Sequence, residues 1–176
     1  MLLKNIIPRR NQMIRKFLLY IGAFFFDIFA VNFLVDPVVG TLFFAVFGEH
    51  QGAWSVIRIV LLMLILLAAC IFVNCKDTSM LEFCQSEMAV SRKEGTKFEC
   101  PKPTDFKSFL AEIFAFCALG VFMLGYITPS ILIHGRLIYL LFAFLIISAV
   151  CVCYFFLNRH IAETRLKEYV EQYSKK

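Results

Sequence analysis

A carboxylic acid in the middle of an apolar stretch is the residue best placed to do chemistry in this sequence. Asp27 lies near the centre of Phe17 to Val35, the first long apolar stretch. A carboxylate at the centre of a membrane helix costs roughly 3 kcal/mol on insertion scales, so such residues are rare and normally face a bundle interior or a water-filled path. We therefore predict that Asp27 binds a cation or a proton. A structural buried acid, protonated or hydrogen-bonded, is the alternative.

The helical neighbours of Asp27 do not complete a binding site around it. Helical periodicity places these residues on its face: Tyr20, Ala23 and Leu34. Asn32 lies about 140° away around the helix and Asp36 about 180° away. On a regular helix, Asp27, Asn32 and Asp36 therefore form no single cluster.

Two further sets of charged residues are candidates for structural ion pairs. Arg58 lies near the start of the second apolar stretch, at a depth similar to that of Asp36, so it can pair with Asp36 or extend its side chain outward to water. Glu112 lies one turn inside the third stretch. It can meet Arg15 or Lys16 at the inner interface, or it can be a solvated acid that the helix dipole favours near a helix start.

Cysteines and catalytic motifs give no indication of an enzyme. The chain has 7 Cys, but Cys75, Cys84 and Cys100 in the long polar connection show no C-x-x-C spacing and have no nearby His, so no metal site is expected. They lie on the side assigned below to the cytosol, where disulfides are rare. The sequence contains no glycine-rich phosphate loop and no nucleophile elbow. We therefore expect no catalytic activity and no cofactor.

The elements that carry these residues are membrane helices. Of the 176 residues, 60% are hydrophobic and only 18% are charged, and the mean hydropathy is +0.76. Four stretches approach the roughly 20 apolar residues needed to cross a bilayer: about 17–35, 54–73, 109–127 and 137–157. The sequence predicts an all-α integral membrane bundle of four transmembrane helices, with the lipid bilayer as its surroundings.

Basic residues sort between the connections and predict the topology. They are frequent in the N-terminal segment 1–16, in the connection 74–108 and in the tail 158–176, whereas the connection 36–53 contains none. By the positive-inside rule, both termini and the connection 74–108 lie in the cytosol, and the protein is placed in the cell membrane. This distribution accounts for the net charge of +5 without nucleic acid, which is not expected as a partner.

Two segments next to the spans allow alternative structures. The Asp36-Pro37 dipeptide predicts the end of the first helix, which leaves the apolar segment 38–47 as an interfacial or re-entrant piece, or as an extension of the first helix. In the tail, apolar residues recur at helical spacing and form a stripe: Ala162, Leu166, Tyr169 and Tyr173. The stripe can dock on a partner or on the cytosolic connection, or it can be a solvated continuation of the fourth helix.

Aromatic residues near the ends of the spans suit the membrane interface. Trp54 and Tyr126 fall near the outer ends, and Tyr20 and Tyr154 fall near the inner ends. Packing between helices is the alternative for each of them.

Residues 10–127 resemble the RDD family of small bacterial membrane proteins. Arg15 at the start of the first helix and Asp27 within it match the arginine and the first aspartate of that family. Thr78 and the segment Val90–Gly95 are similar to the start and the turn of its cytosolic connection. The chain departs from the family in the longer Arg15–Asp27 spacing, and Glu94 stands where the second aspartate is expected.

The resemblance implies transport or an accessory membrane role. Together with Asp27, it leads us to expect a transport-related protein that moves a cation or a proton. The alternative is a non-catalytic accessory or scaffold subunit, which would associate with other membrane proteins or with itself. Ala111 and Ala115 form a small-x-x-x-small pair that suits a packing seam, either within one chain or between two.

Overall fold

A computed structural model describes residues 6–75, 79–133 and 137–174, with side chains described for most of these residues. The described part contains helices and no strands. In chain order the elements are α1 (Ile6–Ala30), a π-helix (Val31–Gly40), α2 (Thr41–Phe47), α3 (Gln51–Cys75), α4 (Ser79–Glu94), a 3₁₀ turn (Pro103–Asp105), α5 (Lys107–Ile133) and α6 (Leu137–Ser174).

Four helical stretches in the described residues are long and apolar enough to cross a membrane. The first is Phe17–Phe47, and the others lie in α3, α5 and α6. Only 17–28% of the residues in their most apolar windows are buried within the chain. Large apolar side chains that face outward include Phe25, Phe33, Phe114 and Phe122. These surfaces suit lipid, so the chain is a multi-pass membrane protein and the predicted all-α bundle of four spanning helices is confirmed.

The bundle core lies where α6 packs on α5 and α3, and where α3 packs on α1. Gly120 of α5 is buried at this core. A Cβ atom at Gly120 would lie 3.0 Å from the side chain of Ile147 on α6, so the missing side chain permits the close approach of these two helices. Of the small-residue pair suggested by the sequence, Ala111 is exposed and Ala115 is half-buried.

The four spanning helices bring polar residues together at two opposite ends of the bundle. One end, which we call the loop end, contains Tyr20, the last turn of α3 and the first turns of α5, and it carries α4 and the 3₁₀ turn. The opposite end, which we call the far end, contains the π-helix and the first turns of α3. Asp27 lies between the two ends.

The first helix does not end at Asp36-Pro37, and this prediction was wrong. The chain continues through Pro37 in the π-helix and then as α2 to Phe47. Proline cannot donate a backbone hydrogen bond and crowds the preceding turn of an α-helix, and the wider hydrogen-bond spacing of a π-helix accommodates it. Gly48, at φ 72°, ends α2. Residues 38–47 are thus an extension of the first helix.

The π-helix also changes which residues are buried after Asp27. Val31 and Val35 are 0% and 9% exposed, whereas Leu34 is 67% exposed, so the prediction that Leu34 shares the face of Asp27 was wrong. A π-helical residue turns the chain by less than the roughly 100° of an α-helical residue, and over ten residues the lag reaches about half a turn. The lag brings Val35 inward in place of Leu34.

The tail continues the fourth helix without a break and docks on the chain's own connection. α6 contacts both α4 and the 3₁₀ turn. Leu166, in the middle of the predicted stripe, is 1% exposed, and Pro103 and Cys84 of the connection are also buried. The tail therefore continues the spanning helix, and it also packs against the loop end.

Candidate functional site

Asp27 is the most isolated polar group in the described core. Its side chain is 0% exposed, and neither carboxylate oxygen has a hydrogen-bond partner among the described residues. Val31, one helical turn after Asp27, is part of the buried apolar core of the bundle. The Cys70 thiol of α3 lies within electrostatic range of the carboxylate. The sequence predicted an acid that faces the interior, and the structure places Asp27 there.

A polar cluster at the far end is built around Arg58. Its Nη2 lies 2.8 Å from Oδ2 of Asp36, so the ion pair that the sequence suggested is present. The same nitrogen donates to Oδ1 of Asn32. Asn32 Nδ2 in turn donates to the Ile28 carbonyl oxygen at 2.8 Å and lies 3.4 Å from the Tyr126 hydroxyl.

The π-helix makes this cluster possible. It holds Asn32 and Asp36 on one side of the helix, where both contact the guanidinium of Arg58. Both members of the ion pair are partly exposed, at 21% and 27%. No hydrogen bond joins this cluster to Asp27 among the described residues, which agrees with the expected separation of Asp27 from Asn32 and Asp36.

A second polar cluster joins three helices at the loop end. The Tyr20 hydroxyl of α1 donates to Oδ1 of Asn74 on α3 at 2.5 Å, and it lies 2.9 Å from the Tyr154 hydroxyl of α6. Asn74 Nδ2 donates to the Tyr154 hydroxyl at 2.7 Å. Tyr20 and Tyr154 are 2% and 0% exposed. They are interior packing residues and not interfacial ones.

Glu112 extends this cluster to α5. Asn74 Nδ2 lies 3.2 Å from Oδ1 of Asn158, and Asn158 Nδ2 donates to Oε2 of Glu112 at 3.4 Å. Glu112 is only 7% exposed, so the expectation of a solvated acid at a helix start was wrong. The amide of Asn158 on α6 draws the carboxylate inward. The side chains of Arg15 and Lys16, the partners that the sequence suggested, are not among those that the structure describes.

Sequence reasoning missed Asn74 and Asn158. Both are polar residues at the ends of apolar stretches, where a solvated position is the simpler interpretation. The spacing of Tyr154 and Asn158 at i and i+4 places them on one helical face, and this was the available signal. Their meeting with Asn74 depends on how α3 and α6 cross.

A small cavity opens beside the loop-end cluster. Its volume is about 40 Å³, and polar residues from three spanning helices line it, among them Asn74, Glu112, Asn158 and Arg165. Arg165 also donates to the backbone carbonyl of Asn74 at 3.1 Å. Met80 of α4 covers one side. This volume has room for roughly two or three water molecules.

The outer aromatic residues behave differently from the inner ones. Trp54 is half-buried and packs against Phe43 of α2, with ring centroids 5.4 Å apart. The ring of Trp54 also lies against Gly40, where a Cβ atom would approach to 3.0 Å. Tyr126 is 44% exposed, as suits an interfacial position.

The cysteines of the polar connection do not form a metal or redox site in the described residues. Cys75, Cys84 and Cys100 are free thiols, and no group of three or more potential metal ligands occurs within the described ranges. Burial raises the pKa of Cys84 to about 11. A thiol with this pKa is a weak nucleophile at neutral pH.

Comparisons with known proteins do not assign a family. No protein-family model, curated protein sequence or solved structure matches this chain. The resemblance to the RDD family stays a prediction.

Proposed function

We propose that this protein moves a cation or a proton across the membrane, with Asp27 as the intramembrane binding group. The observation that carries the proposal is the complete burial of Asp27 without a hydrogen-bond partner among the described residues. An unpaired carboxylate in apolar surroundings holds its charge only at a large free-energy cost, so a bound proton or cation compensates it. A group that must take up an ion to be stable can also release one.

Polar groups on both sides of Asp27 support a pathway. Tyr20 of the loop-end cluster lies seven residues before Asp27, and Asn32 of the far-end cluster lies five residues after it. At 1.5 Å per residue these offsets are about 10 Å and about 8 Å along the helix. An ion crosses these gaps with the help of water or of helix movement, and the π-helix that begins four residues after Asp27 is a suitable place for movement.

The same proposal includes an orientation. The basic segments 1–16, 74–108 and 158–176 favour the cytosolic side for both termini and for the loop end. The far end, with Arg58, then faces outward, and the membrane is the cell membrane. A relationship to the RDD family agrees with this arrangement through Arg15 and Asp27.

Ion flux in reconstituted vesicles tests the proposal. Asp27→Asn keeps the shape of the side chain and removes the charge, and we expect it to reduce flux of the transported ion at least tenfold. Asp27→Glu should retain part of the flux, because it keeps the acid. Glu49→Gln, at an exposed position between α2 and α3, is the matched control and should behave as wild type. Equal flux through the wild type and a folded Asp27→Asn protein would refute the transport function.

A second candidate function is that of an accessory subunit. The loop-end cluster favours it, because its hydrogen bonds link α1, α3, α5 and α6 in the manner of a structural joint. Purification in mild detergent followed by mass measurement distinguishes the two. Recovery of a stoichiometric partner, together with the absence of flux, supports the accessory subunit.

A further inference from the structure

We propose that the cavity at the loop end is the entry site for the transported ion and that this ion is a proton carried by water. The inference rests on the proposed function and narrows it from cation or proton to proton. It depends on three observations: the size of the cavity, the charges on its wall and the hydroxyl groups that lead inward from it.

The size of the cavity excludes large substrates. Sites for small organic ligands usually have volumes of roughly 300–1,000 Å³, whereas this cavity has about 40 Å³. Water molecules fit this space, and its wall offers them partners in the carboxylate of Glu112 and the amides of Asn74 and Asn158. Buried water is held by two to four such polar groups.

The charges on the wall disfavour a metal cation. Arg165 lines the same cavity as Glu112, and an arginine in a protein keeps its positive charge. A second full positive charge within this small volume would be repelled at short range. A proton taken up by Glu112 also adds one positive charge, but it forms a covalent O–H bond and needs no space for a coordinated cation beside the guanidinium.

Hydroxyl groups continue inward from the cavity towards Asp27. Asn158 and Asn74 orient the Tyr154 and Tyr20 hydroxyls. Because the single hydrogen of the Tyr20 hydroxyl is donated to Asn74, Tyr154 is the donor in the 2.9 Å contact between the two hydroxyls. Hydrogen-bonded hydroxyl groups of this kind can take part in the passage of a proton, whereas they offer a metal cation few oxygen ligands.

Several titratable or charged groups face Glu112 from neighbouring helices. In the described part of the chain these are Tyr20 of α1, Cys70 of α3, and Tyr154 and Arg165 of α6. Arg165, which lines the same cavity, carries a permanent charge. In the proton step, Glu112 accepts a proton from a hydronium ion in the cavity and leaves a neutral water molecule behind. Glu112 becomes ionised again when it gives the proton to water on the inner side, and the Asp27 carboxylate is the final acceptor.

Vesicles that contain a pH-sensitive dye test this inference. An imposed pH gradient should drive proton flux through the wild type. Glu112→Gln should slow it at least tenfold, because an amide does not accept the proton. Ala162→Leu should slow it as well, since Ala162 lines the cavity and a larger side chain fills it while Glu112 is kept. Glu163→Gln is the matched control, because Glu163 lies on α6 in an exposed pair with Arg159, and it should match wild type.

The result that overturns the inference differs from the one that overturns the proposed function. Flux of sodium or potassium that needs Asp27 but leaves the dye unchanged refutes the proton and keeps the transport role. The entry site is refuted if proton flux is unaltered in both Glu112→Gln and Ala162→Leu. Size-exclusion chromatography must show that each of these variants is folded. Flux that is insensitive to Asp27→Asn refutes the transport role itself.

Discussion

At the scale of residues, the acids Asp27, Asp36 and Glu112 of the membrane-spanning part have three different surroundings. Asp36 pairs with Arg58, and Glu112 accepts a hydrogen bond from Asn158. Asp27 has no hydrogen-bond partner in the part of the chain that the structure describes. The first two arrangements compensate the acid within the protein, whereas the third leaves the carboxylate without a hydrogen bond from the described residues. Glu112 is also buried, so burial alone does not distinguish Asp27. What distinguishes Asp27 is that its carboxylate has no hydrogen-bond partner among the described residues.

The loop-end cluster allows a prediction about single hydroxyl groups. Tyr20→Phe removes a buried donor and leaves Oδ1 of Asn74 without it, and a buried polar atom left unsatisfied costs about 1–3 kcal/mol. We expect the free energy of unfolding in detergent to fall by that amount, measured by equilibrium denaturation with circular dichroism.

Tyr126→Phe is the matched control for this change. The Tyr126 hydroxyl makes a long contact of 3.4 Å with Asn32 at a side chain that is 44% exposed. Its loss should change the unfolding free energy by less than about 0.5 kcal/mol. Equal losses in the two variants would mean that the loop-end hydrogen bonds contribute little to stability.

At the scale of elements, the π-helix marks the limit of sequence reasoning. Hydropathy and length were sufficient for the four spanning helices, and similar depth was sufficient for the Arg58–Asp36 pair, because both depend on distance along the chain. The exchange of Leu34 for Val35 on the buried face depends on a change of helical pitch. That change arises where Pro37 meets the packing of Trp54 on Gly40, and periodicity assumes a constant pitch.

The contact between α5 and α6 allows a prediction about glycine. At Gly120 an added methyl group would lie 3.0 Å from Ile147, whereas at Gly125 it would meet nothing within 4 Å. Both changes to Ala favour the helix by about 0.5–1 kcal/mol, but overpacking at Gly120 costs about 1–3 kcal/mol.

We therefore expect Gly120→Ala to unfold at a lower denaturant concentration than Gly125→Ala. The two proteins differ by one methyl group placed five residues apart on one helix, so their comparison isolates the packing term. If Gly120→Ala were the more stable of the two, α5 and α6 would not approach as closely as described.

At the scale of the whole molecule, polar contacts lie at both ends of an apolar core: they join four helices at the loop end and three at the far end. Many large apolar side chains face outward and suit lipid. The polar residues of the connection and the tail lie at the loop end. This asymmetry and the basic segments together predict one orientation in the membrane.

Labelling of cysteines in intact cells tests this orientation. Positions 49 and 97 are exposed and lie in opposite connections. With a membrane-impermeant maleimide, Glu49→Cys should react in intact cells because the far end faces outward. Lys97→Cys should react beyond the wild-type level only after the cells are permeabilised, and its reaction in intact cells would reverse the assigned topology.

The continuous helix through Pro37 has a consequence for the choice of bilayer. The apolar stretch Phe17–Phe47 has 31 residues, which at 1.5 Å per residue is about 46 Å long, whereas the hydrocarbon layer is about 30 Å thick. A stretch of this length is accommodated by tilting, by bending or by local thickening of the lipid. The mismatch affects the helix that carries Asp27. We therefore expect lipid chain length to change the tilt or the bend of this helix.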